Sequence, residues 1–163
     1  MRSKTQRMVA SNGGGEAPHP SIHAAKKIMN AKEFFKFDRF ATEAGVELIE
    51  IKKGYGKAQL MVGPQHLNAG NTTQGGAIFT LADLALAAAA NSHGTLALSL
   101  TSNITFLRGS GPGDTLTAEA RERYIGKTTG HYQVDVTNQH GKLIATFEAS
   151  VYRKDNELPF EVE

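Results

Sequence analysis

The sequence predicts an α+β domain in which an antiparallel sheet wraps around one long, buried helix. Three observations carry this reading. A run rich in alanine and leucine, GGAIFTLADLALAAAAN, fills Gly75 to Asn91; two alternating segments precede it; four more follow it. The alanine- and leucine-rich run is apolar almost all round, the pattern of a helix buried on most of its faces.

The elements follow in chain order. Residues 1–20 combine Gly13-Gly14-Gly15 and two prolines with polar residues and are expected to form a disordered tail. Ser21 is suited to cap a helix, and SIHAAKKIMNAKEFFKF places Ile22, Ala25, Ile28, Met29, Phe34 and Phe35 near one face. A shorter helical piece through 37–44 completes a helical lead-in (21–44) to a single domain spanning 21–163. After Gly45, alternation takes over: Val46, Leu48 and Ile51 mark a strand, and 57–62 is its hairpin partner across Lys53-Gly54-Tyr55-Gly56. Residues 63–74 hold Pro64, Asn68, Gly70 and Asn71 and read as a loop. The buried helix then runs to Asn91, where Ser92-His93-Gly94 ends it. The remaining strands are 96–107, 114–124, 131–138 and 142–152, parted by glycine-containing turns at 109–113, 126–130 and 139–141.

Bulk properties exclude several functions. A net charge of +2 on 163 residues is too mild to argue for nucleic acid. With no cysteine, disulfides, thiolate chemistry and cysteine-based zinc sites are ruled out. No stretch approaches the roughly 20 apolar residues that a membrane helix needs, and the charged amino terminus is followed by no apolar run, so a cytoplasmic protein without a membrane partner is expected. His19, His23, His93, His131 and His140 show no metal-ligand spacing, and no metal is expected.

Asp83 stands out as the single charged residue between Gly75 and Asn91, flanked by Ala82 and Leu84. A carboxylate on a buried helix needs a partner, a wet cleft or a raised pKa, and such groups are candidate bases or nucleophiles. The plainer alternative is a carboxylate that points to solvent or pairs with a distant arginine. Gly75-Gly76 opens the same helix with unobstructed N–H groups at the positive end of the dipole, where a developing oxyanion can be held. Close packing of the helix would explain the glycines equally well. Gly75 and Asp83 are eight residues apart, about 12 Å along a helix axis, so the two cannot act on one carbonyl within one chain. A site using both has to be composite, with antiparallel helices of two subunits side by side. In the preceding loop, His66, Asn68 and Gln74 carry side chains able to orient a carbonyl or a water, although loops of this composition usually just turn.

The strings HLNAGNTTQGGAIFTLAD and SLTSNITFLRGSGPGDTLTAEA resemble the hotdog-fold thioesterases of the phenylacetate-pathway (PaaI-like) type, over about Val46 to Arg153. That family's pattern is an asparagine, a short loop, His-Gly-Gly, and an aspartate eight residues after the first glycine; Asn68, Gly75 and Asp83 match it. The resemblance implies a hotdog fold, a homodimer joined edge to edge and a pairing of dimers into a tetramer. It implies hydrolysis of an acyl-CoA thioester to a free acid and coenzyme A, with no cofactor beyond the coenzyme A of the substrate. The Gly75 amide would polarise the carbonyl, Asp83 of the partner subunit would act as base or nucleophile, and Asn68 would place the water or the carbonyl. Ser99 is the hydroxyl expected to assist from the next strand, with Thr101 two residues on and on the same face. His66, Gly76 and Arg108 are expected to touch the substrate, Arg108 through the phosphates of coenzyme A. Gln74 stands where the family pattern has histidine; its amide can donate a hydrogen bond but cannot move a proton.

That departure favours a second reading, a non-catalytic acyl-CoA binding or sensing protein of the same fold. A hotdog dehydratase ranks last, because it would use a catalytic histidine and the helix offers none.

Overall fold

The computed structural model describes residues 29–162. The expected tail, the cap at Ser21 and the helical residues before Met29 lie outside the described residues. Within them, the lead-in is two single-turn helices, α1 (Ala31–Phe35), which starts only after Asn30 and does not run through Met29, and α2 (Arg39–Glu43), which falls within the short piece expected through 37–44. The reason is local. Asn30 and Asp38 each turn a side-chain oxygen onto a following backbone N–H, of Lys32 at 2.8 Å and of Ala41 at 3.1 Å, so each starts a helix and cannot sit inside one.

The strands are β1 (Val46–Lys52), β2 (Tyr55–Met61), β3 (Thr95–Phe106), β4 (Thr115–Ile125), β5 (Thr129–Thr137) and β6 (Leu143–Glu157), with α3 (Gly75–Asn91) between β2 and β3. They form one six-stranded antiparallel sheet in the order β1-β2-β4-β5-β6-β3. Three boundaries differ from the sequence reading by two residues or more. β2 begins at Tyr55, inside the turn expected at 53–56. β5 begins inside the expected glycine turn, and β6 continues well past Tyr152. The extension carries Phe160 to Phe34 and Phe35, with ring centroids 5.0 and 5.8 Å apart, and so closes the lead-in against the end of the chain.

α3 packs against all six strands, and the contact is made of small residues. Ala82, Ala85, Ala88 and Ala89 on the helix, and Ala58, Ala118 and Ala120 on the sheet, are fully buried. Gly56 marks the tightest point: a Cβ there would lie 2.2 Å from the carbonyl oxygen of Ala85 and 2.9 Å from the Cβ of Ala88. The alanine richness that signals a helix thus also sets how deeply the sheet can fold around it. Larger side chains (Leu60, Leu81, Leu116, Val134, Phe147) fill the core around this seam.

The carboxyl end of α3 is latched to the sheet. Asn91 accepts from Ala97 N–H (2.8 Å), Ser92 Oγ accepts from Gly54 N–H (2.8 Å), and His93 meets Glu122 at 2.6 Å, which also accepts from the Tyr132 hydroxyl. Among the described residues no helix is long and apolar enough to cross a membrane.

Replacing Gly56 by alanine drives a methyl into helix backbone that cannot swing aside. Overpacking of this kind destabilises by about 1–3 kcal/mol. We expect thermal denaturation of Gly56→Ala to fall by several degrees, while Gly111→Ala, with nothing within 4 Å of the added carbon, stays near wild type. Equal melting temperatures for the two variants would remove the close approach as a constraint.

Candidate active site

The amino end of α3 is built by the loop before it. Gln74 is the N-cap, and its side-chain Oε1 accepts from the N–H groups of Gly76 and, at 3.2 Å, of Ala77. Both partners are donors, so the amide oxygen has to face the helix and the amide NH2 points away. The two glycines now have separate reasons. A Cβ on Gly76 would strike Gln74 Oε1 at 2.6 Å, and one on Gly75 would strike the ring tip of Phe106 at 2.9 Å. Gly76 and Ala77 spend their N–H groups on the cap. The N–H of Gly75 has no acceptor among the described residues. It is the first N–H of a 17-residue helix, at the positive end of its dipole.

Asn68 is held by its oxygen. Oδ1 accepts from Gly70 N–H (2.9 Å), Thr72 N–H (3.2 Å) and the Thr72 hydroxyl (3.2 Å), which leaves the Nδ2 amide as its donor. Asn68 and Gly75 line one open groove of about 450 Å³, together with Ile78, Phe106 and Arg108. The Arg108 guanidinium donates one hydrogen bond to the carbonyl of Leu143 (2.7 Å) and brings a fixed positive charge to the groove. The structure therefore gathers Asn68, Gly75 and Arg108 of the expected site.

Asp83 is not in that groove. It sits two turns further along α3, on the stripe Gly76, Thr80, Asp83 and Ala87 that the sheet leaves partly uncovered. Its carboxyl has no hydrogen-bond or ion-pair partner among the described residues. Burial pushes its pKa above the ordinary carboxylate value, and the nearby charge of Asp38, the N-cap of α2, pushes the same way. Gln74 and Gly76 stand at the rim of the helix end, both exposed. Among the described residues no group of three or more His, Asp or Glu side chains is placed to hold a metal ion.

Two expectations change. Thr101 does not share a face with Ser99. β3 carries a bulge at Leu100, so Ser99 stands opposite Val151 and Thr101 opposite Ser150, on successive residues of β6. Val151 is buried on the helix side, which puts Ser99 on that face and turns Thr101 to the outer face. His66 does not offer its ring to a ligand either. The side chain is buried, Nδ1 accepts from Gly63 N–H (2.9 Å), and Nε2 donates to the carbonyl of Ala44 (2.8 Å). Both ring nitrogens are occupied in holding the loop.

Sequence reading missed Phe106, whose ring covers Gly75, and the clamp beside it. Ser110 Oγ donates to Thr73 Oγ1 (2.8 Å), and Thr73 N–H donates to the Ser110 carbonyl (2.9 Å), both residues being buried. Nothing in local pattern marks a contact between loops so far apart in the chain. Asp38 falls inside the helical piece expected through 37–44, whereas the structure makes it the N-cap of α2.

The geometry has counterparts in known proteins. Residues 70–145, which span α3 and the strands after it, match the family model described as the thioesterase superfamily. The acyl-coenzyme A thioesterase PaaI of Escherichia coli is 38% identical over 128 residues, 78% of this chain and 91% of that protein. The chain belongs to the thioesterase superfamily. A protein of Archaeoglobus fulgidus named as a candidate esterase is 42% identical over 136 residues, 83% of this chain and 88% of that one. The structure of E. coli PaaI aligns with a TM-score of 0.75, covering 78% of this chain and 93% of its own. A hypothetical thioesterase of Streptococcus pneumoniae crystallised with coenzyme A aligns at 0.72 with 27% identity, over 78% of this chain and 100% of its own. The fold of this thioesterase-superfamily chain is accordingly the hotdog fold, a PaaI-like sheet around a central helix, as the sequence implied.

The raised pKa of Asp83 makes a stability prediction. A carboxyl that holds its proton more tightly in the folded chain favours folding most below the unfolded value, and that contribution is lost as the pH rises through the folded value. Asp83→Asn is therefore expected to melt higher than wild type at pH 7, with the two converging as the pH falls below about 4. Thermal scans across that range check it; an asparagine variant less stable than wild type at pH 7 would mean that the ionised carboxylate has a favourable partner.

Proposed function

We propose that this protein hydrolyses an acyl-CoA thioester to a carboxylic acid and coenzyme A, at a site assembled from two copies of the chain. The observation that carries the reading is the Gly75 N–H. It is an unpaired donor at the start of a buried helix, in a groove with the Asn68 amide, while a carboxylate without a partner waits on an uncovered stripe of the same helix. The coenzyme A-bound and acyl-CoA-hydrolysing relatives support the substrate class.

The steps follow from the groups present. The thioester carbonyl oxygen accepts from Gly75 N–H, which strengthens as that oxygen becomes an anion. The partner subunit's Asp83 takes a proton from water as the water oxygen bonds to the carbonyl carbon; a carboxylate with a raised pKa is the better base for this. Collapse of the tetrahedral intermediate breaks the carbon–sulfur bond, and the coenzyme A thiolate leaves with the proton that Asp83 took from water, which restores the carboxylate. Asn68 Nδ2 orients the carbonyl or the water, Ser99 lies on the face of β3 turned toward the helix side, and Arg108 meets coenzyme A phosphate at the groove. Gln74 acts through the cap: by occupying Gly76 and Ala77 it leaves the Gly75 amide alone for the substrate.

The pairing of two chains is supported by the edge of the sheet. β3 is a terminal strand of 12 residues, and Leu98 and Leu100 on it are exposed. A long apolar edge of this kind is a template for a second strand. Joining two β3 edges sets the two α3 helices side by side and antiparallel, which brings each Asp83 toward the other chain's Gly75. Pairs of such dimers would make the tetramer, and the cytosol, where acyl-CoA is made and used, is the expected compartment.

The test is thiol release from a panel of aryl, short-chain and long-chain acyl-CoAs. Wild type is expected to turn over at least one class, and Asp83→Asn to lose about 100-fold or more in kcat. Full activity in the asparagine variant would make Asp83 structural; binding of acyl-CoA without turnover by wild type would favour the sensor reading.

Complementation tests the shared site. Gly75→Pro removes the donor at a helix position whose backbone tolerates proline, the ring of the exposed Phe106 shifting to admit the added carbon. Co-expressed with Asp83→Asn, it is expected to regain roughly a quarter of wild-type turnover, since half of the dimers are mixed and each has one intact site. No gain over the separate variants would place both residues on one chain's site.

A further inference from the structure

We propose that His66 is a positioning residue whose neutral ring aims the Gly75 amide at the substrate carbonyl. The proposal rests on the role given above to Gly75. The ring is 6% exposed and uses each nitrogen once. The Ala44 carbonyl can only accept, so Nε2 carries the hydrogen; the Gly63 N–H can only donate, so Nδ1 carries the lone pair. One neutral tautomer satisfies both, and the imidazole acts as a fixed strut between the start of the loop and the residue that closes α2.

The backbone of the same residue completes the arrangement. His66 N–H donates to the Gly63 carbonyl at 3.0 Å, in the short turn Pro64–His66, and the His66 carbonyl accepts from Gln74 N–H at 2.7 Å. Gln74 is joined directly to Gly75, so the hydrogen bond that Gln74 N–H donates to the His66 carbonyl helps set the direction of the chain as it enters α3. On the other side of the loop, Thr73 is clamped to Ser110. The two residues that lead into Gly75 are thus held from two sides, Gln74 by the His66 carbonyl beside the bond from Asn68 N–H to the Thr72 carbonyl (2.8 Å), and Thr73 by Ser110. Nothing in this geometry brings the imidazole to the groove, whose lining includes Asn68 but not His66.

The substitutions separate the two bonds. Asparagine keeps an acceptor near the place of Nδ1, glutamine keeps a donor near that of Nε2, and leucine keeps the volume and neither bond. For His66→Leu we expect kcat to drop about tenfold or more with KM within about twofold of wild type, because orientation and not binding is lost. His66→Asn and His66→Gln should each recover part of that loss. The amide cross-peak of Gly75 in a proton–nitrogen correlation spectrum is expected to move in the leucine variant and to lie between the extremes in the other two.

A rise in KM at unchanged kcat would overturn the proposal in favour of direct substrate contact. An unmoved Gly75 cross-peak in a folded variant would overturn it in favour of simple packing. Should the leucine variant fail to fold, the asparagine and glutamine variants carry the same spectroscopic test, and an unmoved cross-peak in both rejects the idea. The spectrum reads the geometry even if wild type turns over no acyl-CoA, so failure of the positioning role and failure of the thioesterase reading give different results.

Discussion

The distance between α3 and the sheet governs the architecture. A glycine and a band of alanines let the helix backbone come within contact of β2, with no room at Gly56 for one further carbon. At that depth the sheet has to curve around the helix, and every strand reaches it. Close packing of small groups supplies little apolar area per residue, so the larger aliphatic and aromatic side chains on either side of the seam carry most of the burial. Depth also means that the helix cannot slide or rotate without collision. Its two ends are therefore fixed points, and whatever the protein does at those ends is done on a rigid frame.

The two ends are treated differently. A buried helix terminus with unpaired backbone groups is costly, and at the carboxyl end Asn91, Ser92 and the residues after them tie the chain into the sheet. At the amino end a capping side chain could have covered the early donors and the next loop could have covered the first. Gln74 does the former and no group among the described residues does the latter. Phe106 packs against Gly75 from the side and accepts nothing from its donor. The result is a dipole end with one directed vacancy, in a polar groove that a carbonyl oxygen can enter.

The central helix was legible to the residue, because alanine, leucine and the flanking glycines agree at every level from propensity to packing. So was the order of the strands along the chain. The failures have physical causes. The lead-in periodicity runs through Asn30 and Asp38 as though they were helical, while their side chains compete for backbone N–H groups and place them as N-caps before short helices. The shared face of Ser99 and Thr101 assumes strict alternation, and one unpaired residue in β3 reverses the phase. The work of His66 depends on Ala44, whose carbonyl lies 22 residues earlier in the chain, and no local pattern reports a partner at that range. Short-range chemistry was readable; anything fixed by a contact between distant loops was not.

Asp83 is the point at which the consistency of the sequence breaks. A helix that is otherwise apolar or small along its buried length carries one carboxylate, raised in pKa, beside another carboxylate and without a compensating cation among the described residues. Selection for stability alone would replace it with the asparagine or alanine that the packing would accept. The catalytic role proposed for Asp83 would account for a carboxylate in that place, and its position on the helix bears on how such a site could be built. The same rigid helix that presents Asp83 presents the Gly75 donor two turns away, and rigidity forbids their meeting. Chemistry that uses both would have to take one from each of two helices, and that constraint is the reason the proposed site draws on two chains.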